Sequence, residues 1–160
     1  MDQVTARVPS SSATQSSATL SAAAQPPAGL AAVLASLEPY VLSILRIMVG
    51  LLFLEHGLSR LFGFPSPLPT PPMLTLYWFA GCIEFGGGIL VTLGLLTRPA
   101  AFIMSGEMAI AYFHSHAPRG FFPILNSGDG AILYCFIFFY LAFAGAGPLS
   151  LDALWRRKRG

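Results

Sequence analysis

The stretch LTLYWFAGCIEFGGGILVTLGLL, residues 74–96, decides the fold. It is apolar over about the 20 residues that a helix needs to cross a bilayer. It also holds one carboxylate, Glu84, with Gly81, Gly86, Gly87 and Gly88 around it. A carboxylate in hydrocarbon is costly unless it is paired, protonated or wetted. Gly81, Glu84 and Gly88 follow at spacings of three and four, so they share one helix face. Glycines beside a carboxylate on one face let a neighbouring helix come close. Glu84 is therefore expected to point at another helix, with Arg46 and Glu107 as candidate partners, since arginine can hold a carboxylate bidentately.

The rest of the chain suits the same environment. Of 160 residues, 54% are hydrophobic and only 10% are charged, against roughly 25% charged in soluble domains. Three further apolar runs lie at about 40–58, 98–116 and 129–147. They are continuous rather than alternating, which points to helices and not to barrel strands. The expected fold is all-α: an integral membrane four-helix bundle within residues 30–155. Residues 1–29, rich in Ser, Ala and Thr and ending near Pro26-Pro27, read as a disordered tail rather than a signal peptide. LAAVLASL (30–37) reads as a short interfacial helix, with Pro39 marking entry into the first span. Residues 156–160 read as a basic cytoplasmic tail.

Four spans put both termini on one side. With both inside, Arg7, Arg98 and the four basic residues of WRRKRG (155–160) are cytoplasmic, and only Arg60 and Arg119 lie outside; this satisfies the positive-inside bias. The proline-rich connections at 63–72 and 117–130 then face outward. Glu55 and His56 fall near the outer end of the first span, His114 and His116 near that of the third, and Asp129 at the outer start of the fourth. Glu84 and Glu107 lie roughly 12 to 15 Å below the outer ends, at 1.5 Å per residue. Arg46 lies toward the inner side and shares a face with Gly50, Phe53 and Gly57; Glu107 and His114, seven apart, share another. The candidate polar cluster is thus Arg46, Glu55, His56, Glu84, Glu107, His114 and Asp129, and Gly50, Gly57, Gly81 and Gly88 are the candidate packing positions. Asp129 also suits a helix N-cap, His116 a plain loop position, and a buried Arg–Glu pair a purely structural role.

Several chemistries find no support in the sequence. No Walker A, strand-linked G-x-G-x-x-G or G-x-S-x-G motif is present. Cys82 and Cys135 sit in separate apolar runs and read as inert buried thiols. No local motif supports a metal site.

RIMVGLLFLEHGLSRLFG (46–63), GCIEFGGGILVTLGLLTRPAA (81–101) and GPLSLDALW (147–155) together resemble the DoxX family of small four-helix bacterial membrane proteins. The likeness covers roughly residues 40–155, and Arg46, His56, Gly57, Glu84 and Gly88 match its recurring pattern. It implies a multi-pass inner-membrane protein linked to redox, without implying that these residues are catalytic. The expected function is an accessory subunit of a quinone-linked membrane oxidoreductase, with no intrinsic cofactor beyond a bound quinone. Membrane lipids, soluble redox proteins and further copies of the chain are the expected partners, and nucleic acid is not. A small-solute transporter acting as an oligomer and a non-catalytic membrane scaffold are the alternatives.

Overall fold

A computed structural model describes residues 28–66 and 69–159. The reading of residues 1–27 as a tail lies outside them. The described residues are helical, with no strand among them. The chain divides into two compact units, Met1–Leu37 and Glu38–Gly160.

In the first unit the described residues are the opening turns of α1, Ala28–Phe62. Leu30, Val33, Leu34 and Leu37 are exposed there, at the spacing of one helical stripe. A separate short helix ahead of Pro39 was the expectation. Instead α1 begins at Ala28 and includes Pro39. Proline lacks the N–H that would close its helical bond, but its fixed φ is helical, and membrane helices tolerate it where side chains re-satisfy nearby backbone. The carbonyl that Pro39 leaves without its helical donor is that of Ala35; separately, Ser43 Oγ donates to the Pro39 carbonyl at 2.9 Å.

The second unit holds the remainder of α1 and the other helices. These are α2 (Leu76–Leu93), α3 (Thr97–Ala111), α4 (Pro123–Asn126), α5 (Asp129–Ala144) and α6 (Leu151–Arg159). Helical turns continue past α3 through a π-helical stretch, Tyr112–His116, and a 3-10 turn, Ala117–Arg119. By length and composition α1 and α2 can each cross a bilayer, and α5 is a shorter apolar helix. α2 starts after Thr75, whose side chain accepts from the Trp78 N–H, and stops at Gly94 in the left-handed conformation, φ 67°. In α6, Leu151, Leu154 and Trp155 recur at helical spacing, and the basic run begins at Arg156.

The four predicted packing glycines all lie where helices approach closely. A Cβ on Gly88 would stand 2.8 Å from the Leu54 backbone, and one on Gly50 would stand 2.8 Å from the Thr92 nitrogen. Gly57 rests against the Phe85 backbone, and Gly81 against Arg60 and Leu61. Small residues thus set the α1–α2 distance, the usual device where lipid supplies no hydrophobic drive for helix pairing. Val49 and Phe53 of α1, Ala101 and Met104 of α3 and Phe138 and Leu141 of α5 belong to the buried apolar core. Ser105 Oγ donates to the Cys135 carbonyl at 2.9 Å between those two helices. Large apolar side chains such as Phe102, Phe136 and Phe143 face outward, each more than 60% exposed. Such a surface suits hydrocarbon and not water.

Candidate functional site

The polar residues resolve into two groups at opposite ends of the second unit. At one end, Arg46 is fully buried. Its guanidinium donates to the carbonyls of Ala146 (2.9 Å), Thr92 (2.6 Å) and Leu149 (2.5 Å), and to that of Val91. Val91 and Thr92 belong to the last turn of α2, whose carbonyls carry the negative end of the helix dipole; the Val91 carbonyl also accepts from the Gly94 N–H at 3.1 Å. Ala146 and Leu149 lie in the connection between α5 and α6. Arg46 is therefore a clamp on backbone, not a member of a cavity. Next to it, Asp152 accepts from the N–H groups of Leu96 (3.0 Å) and Thr97 (3.1 Å), capping the start of α3. The Asp152 N–H in turn donates to the Gly94 carbonyl at 2.9 Å.

At the other end, Glu84 is fully buried and pairs with Arg60 of α1, Nε to Oε2 at 3.0 Å. This corrects the expectation of Arg46 as partner. The Arg46–Gly50–Phe53–Gly57 face continues three residues on to Arg60, so α1 places Arg46 at one end of α2 and Arg60 beside Glu84. The N–H is not aimed along the contact, and both Glu84 oxygens lack a hydrogen bond, as does Oε2 of buried Glu107. Glu107 stands within electrostatic reach of both Glu84 and Arg60.

Glu107 and Arg60 border a cavity of about 550 Å³ between α2 and α3. Its long walls are apolar, from Leu76, Phe79, Ile83, Ile103 and Ile110. Its polar edge adds Tyr77, His114, His116 and Arg119. The Arg60 guanidinium lies over the Tyr77 ring, 5.9 Å from its centroid, and the Tyr77 hydroxyl lies 3.4 Å from Ser115 Oγ. His116, expected to be a loop residue, is half-buried in the π-helical stretch and donates through Nδ1 to the Asn126 carbonyl at 3.0 Å. Asn126 is itself buried; it donates to the Gly120 carbonyl and accepts from the Gly128 N–H, both at 2.8 Å.

Of the seven residues expected to cluster, Glu107 and His114 border the cavity and Glu84 is buried beside Arg60 at its edge. Arg46 does neither. Glu55 and His56 are exposed and turned toward α5: His56 donates to the Leu52 carbonyl at 2.8 Å and stacks edge-on with Tyr134. Asp129 is exposed and is the first residue of α5, while Gly128 takes the N-cap position. The N-cap residue Gly128 offers no side-chain cap, and the Asn126 side chain, accepting from the Gly128 N–H, closes the turn ahead of α5. Arg60, Tyr77, His116 and Arg119 are the cavity residues that sequence reasoning missed. Only Arg60 had a signal, as the next position on the Arg46–Gly57 face.

Comparison with known proteins follows the same lines. A family model described as DoxX matches residues 41–117. A Haemophilus influenzae (strain ATCC 51907 / DSM 11121 / KW20 / Rd) protein named only as uncharacterized is 45% identical over 130 residues, which span 76% of this chain and 95% of the relative. Inner membrane protein YqjF of Escherichia coli (strain K12) is 27% identical over 128 residues, 76% of this chain and 97% of the relative. No solved structure matches the chain.

Proposed function

We propose that this chain, which belongs to the DoxX family, is a multi-pass inner-membrane protein that serves as an accessory subunit of a quinone-linked oxidoreductase. The observation that carries this reading is the α2–α3 cavity, apolar along its walls and polar at one edge. The outward-facing aromatic surface and the inner-membrane name of the Escherichia coli relative support the location. The arrangement of basic residues supports four spans with both termini in the cytoplasm.

The residues present fit a quinone. A ring carbonyl needs hydrogen-bond donors, and the polar edge offers Arg60, Tyr77 and His114. An isoprenoid tail needs apolar walls, which Phe79, Ile83 and Ile110 provide. Glu107 Oε2 is buried without a partner, an atom in want of a proton or a donor. A bound quinone would supply two-electron, two-proton redox chemistry. The chain's own residues would orient the headgroup, exclude water and hold a proton at Glu107, with Glu84 kept behind it by Arg60. The sequence carries no flavin, haem or iron–sulfur motif, so electrons would come from a partner protein.

Mass spectrometry of the protein purified in native-lipid discs tests this. Wild type is expected to carry a quinone, and Glu107→Gln to retain at least about tenfold less, the equivalent of ~1.4 kcal/mol. Folded wild type that carries no quinone would overturn the proposal.

A further inference from the structure

We infer that the groove between the start of α3 and α6 binds the phosphodiester of an anionic phospholipid headgroup. The groove holds about 300 Å³ and lies at the Arg46 end, away from the α2–α3 cavity. Thr97, Arg98, Ala146, Asp152, Trp155 and Arg156 border it.

Three observations mark it as a built site. First, Arg98 is seated on bare backbone: a Cβ on Gly145 would stand 3.3 Å from Arg98 Nε and 3.5 Å from Nη2, and φ at Gly145 is 86°, which disfavours any side chain there. Second, Thr97 is fully buried in the groove's floor, and its hydroxyl has no hydrogen-bond partner among the described residues. Third, the charge balance favours an anion. The Asp152 carboxylate is engaged by the Leu96 and Thr97 N–H groups. Arg98 and Arg156 remain as two exposed guanidiniums on the rim, with Arg157 and Lys158 following on α6. A guanidinium fork matches two phosphate oxygens at once.

The surroundings favour a lipid over a free phosphate. Leu96 is 55% exposed at the groove, and Leu154 and Trp155 of α6 are each 53% exposed. A helix with Leu151, Leu154 and Trp155 on one face and Arg156 and Arg157 off it, Lys158 standing beside the apolar residues, suits the headgroup layer, where anionic lipids attract Lys and Arg. Acyl chains would cover these apolar groups while the phosphate sits between the arginines.

The test is native mass spectrometry of the full-length protein after exchange into vesicles of phosphatidylglycerol mixed equally with phosphatidylcholine. Wild type is expected to keep phosphatidylglycerol selectively. Arg98→Gln with Arg156→Gln should lower that retention by at least about tenfold, whereas Arg157→Gln with Lys158→Gln, outside the groove, should lower it by less than about threefold. Equal loss from both pairs, or no loss from the first, overturns the site. Millimolar inorganic phosphate is expected to leave retention unchanged; displacement of the lipid by phosphate would overturn the lipid assignment. Should the first pair fail to fold, Arg98→Lys keeps the charge and removes the fork, and retention equal to wild type in that variant overturns the proposal.

Discussion

Replacement of Arg46 by methionine tests the clamp that joins α1 to the end of α2. The change keeps an apolar stem of similar length and removes a guanidinium that donates to four carbonyls, those of Val91, Thr92, Ala146 and Leu149. Each buried acceptor left without a donor costs about 1–3 kcal/mol. Relief from desolvating a charge works the other way, because a buried cation is itself costly. The Val91 carbonyl keeps the Gly94 N–H, so taking about 1 kcal/mol for each of the other three carbonyls gives a loss of about 3 kcal/mol. For a chain of this size that corresponds to a fall in Tm of roughly 6–12 °C. Arg46→Lys should fall between wild type and the methionine variant, since one ammonium cannot reach four carbonyls on two segments. Thermal unfolding in detergent, followed by circular dichroism, reads the loss. Quinone retention in the surviving folded fraction should match wild type, because Arg46 does not border the cavity. An unchanged Tm with loss of quinone would refute the clamp and return Arg46 to the site.

The other predictions follow from the same contacts. Gly88→Leu should push α1 from α2 and cost at least about 2 kcal/mol, while Gly86→Ala, where a Cβ meets nothing within 4 Å, should be neutral or stabilising; comparative melting of the two variants checks both. Arg60→Gln leaves Glu84 buried without its cation and should destabilise by about 1–3 kcal/mol, a range reduced for the partly exposed arginine. Adding Glu84→Gln should recover much of that loss, and a double-mutant cycle that shows no coupling would dismiss the pair. Asp152→Ala removes the cap of α3 and should cost about 0.5–2 kcal/mol, with faster amide hydrogen exchange at Leu96 and Thr97.

What was legible in the sequence was helical phase. The spacing of Arg46, Gly50, Phe53 and Gly57, and of Gly81, Glu84 and Gly88, identified buried faces that the structure keeps. Helix periodicity is local, so one span suffices to read it. The partners across helices were less legible. Arg46 reaches carbonyls about a hundred residues away at Ala146 and Leu149, and backbone acceptors leave no mark in a sequence. Asp152 likewise caps a helix that begins far ahead of it. Glu55, His56 and Asp129 carry the residue types of a site yet are exposed, because being near the same end of a bundle does not place side chains on the same side of their helices. The π-helical stretch at Tyr112–His116 lies where regular spacing no longer applies, and it brings His116 to the cavity edge unannounced.

The central claim is that the α2–α3 cavity holds a quinone. Photolabelling the protein in native-lipid discs with an azido-quinone, followed by peptide mapping, tests it most directly. The account predicts adducts concentrated on residues 76–83 of α2 and on 103–116 of α3 and the π-helical stretch after it, suppressed by excess unlabelled quinone and lost in Glu107→Gln. Labels spread over the lipid-facing side chains of α1 and α5, and indifferent to competitor, would contradict it.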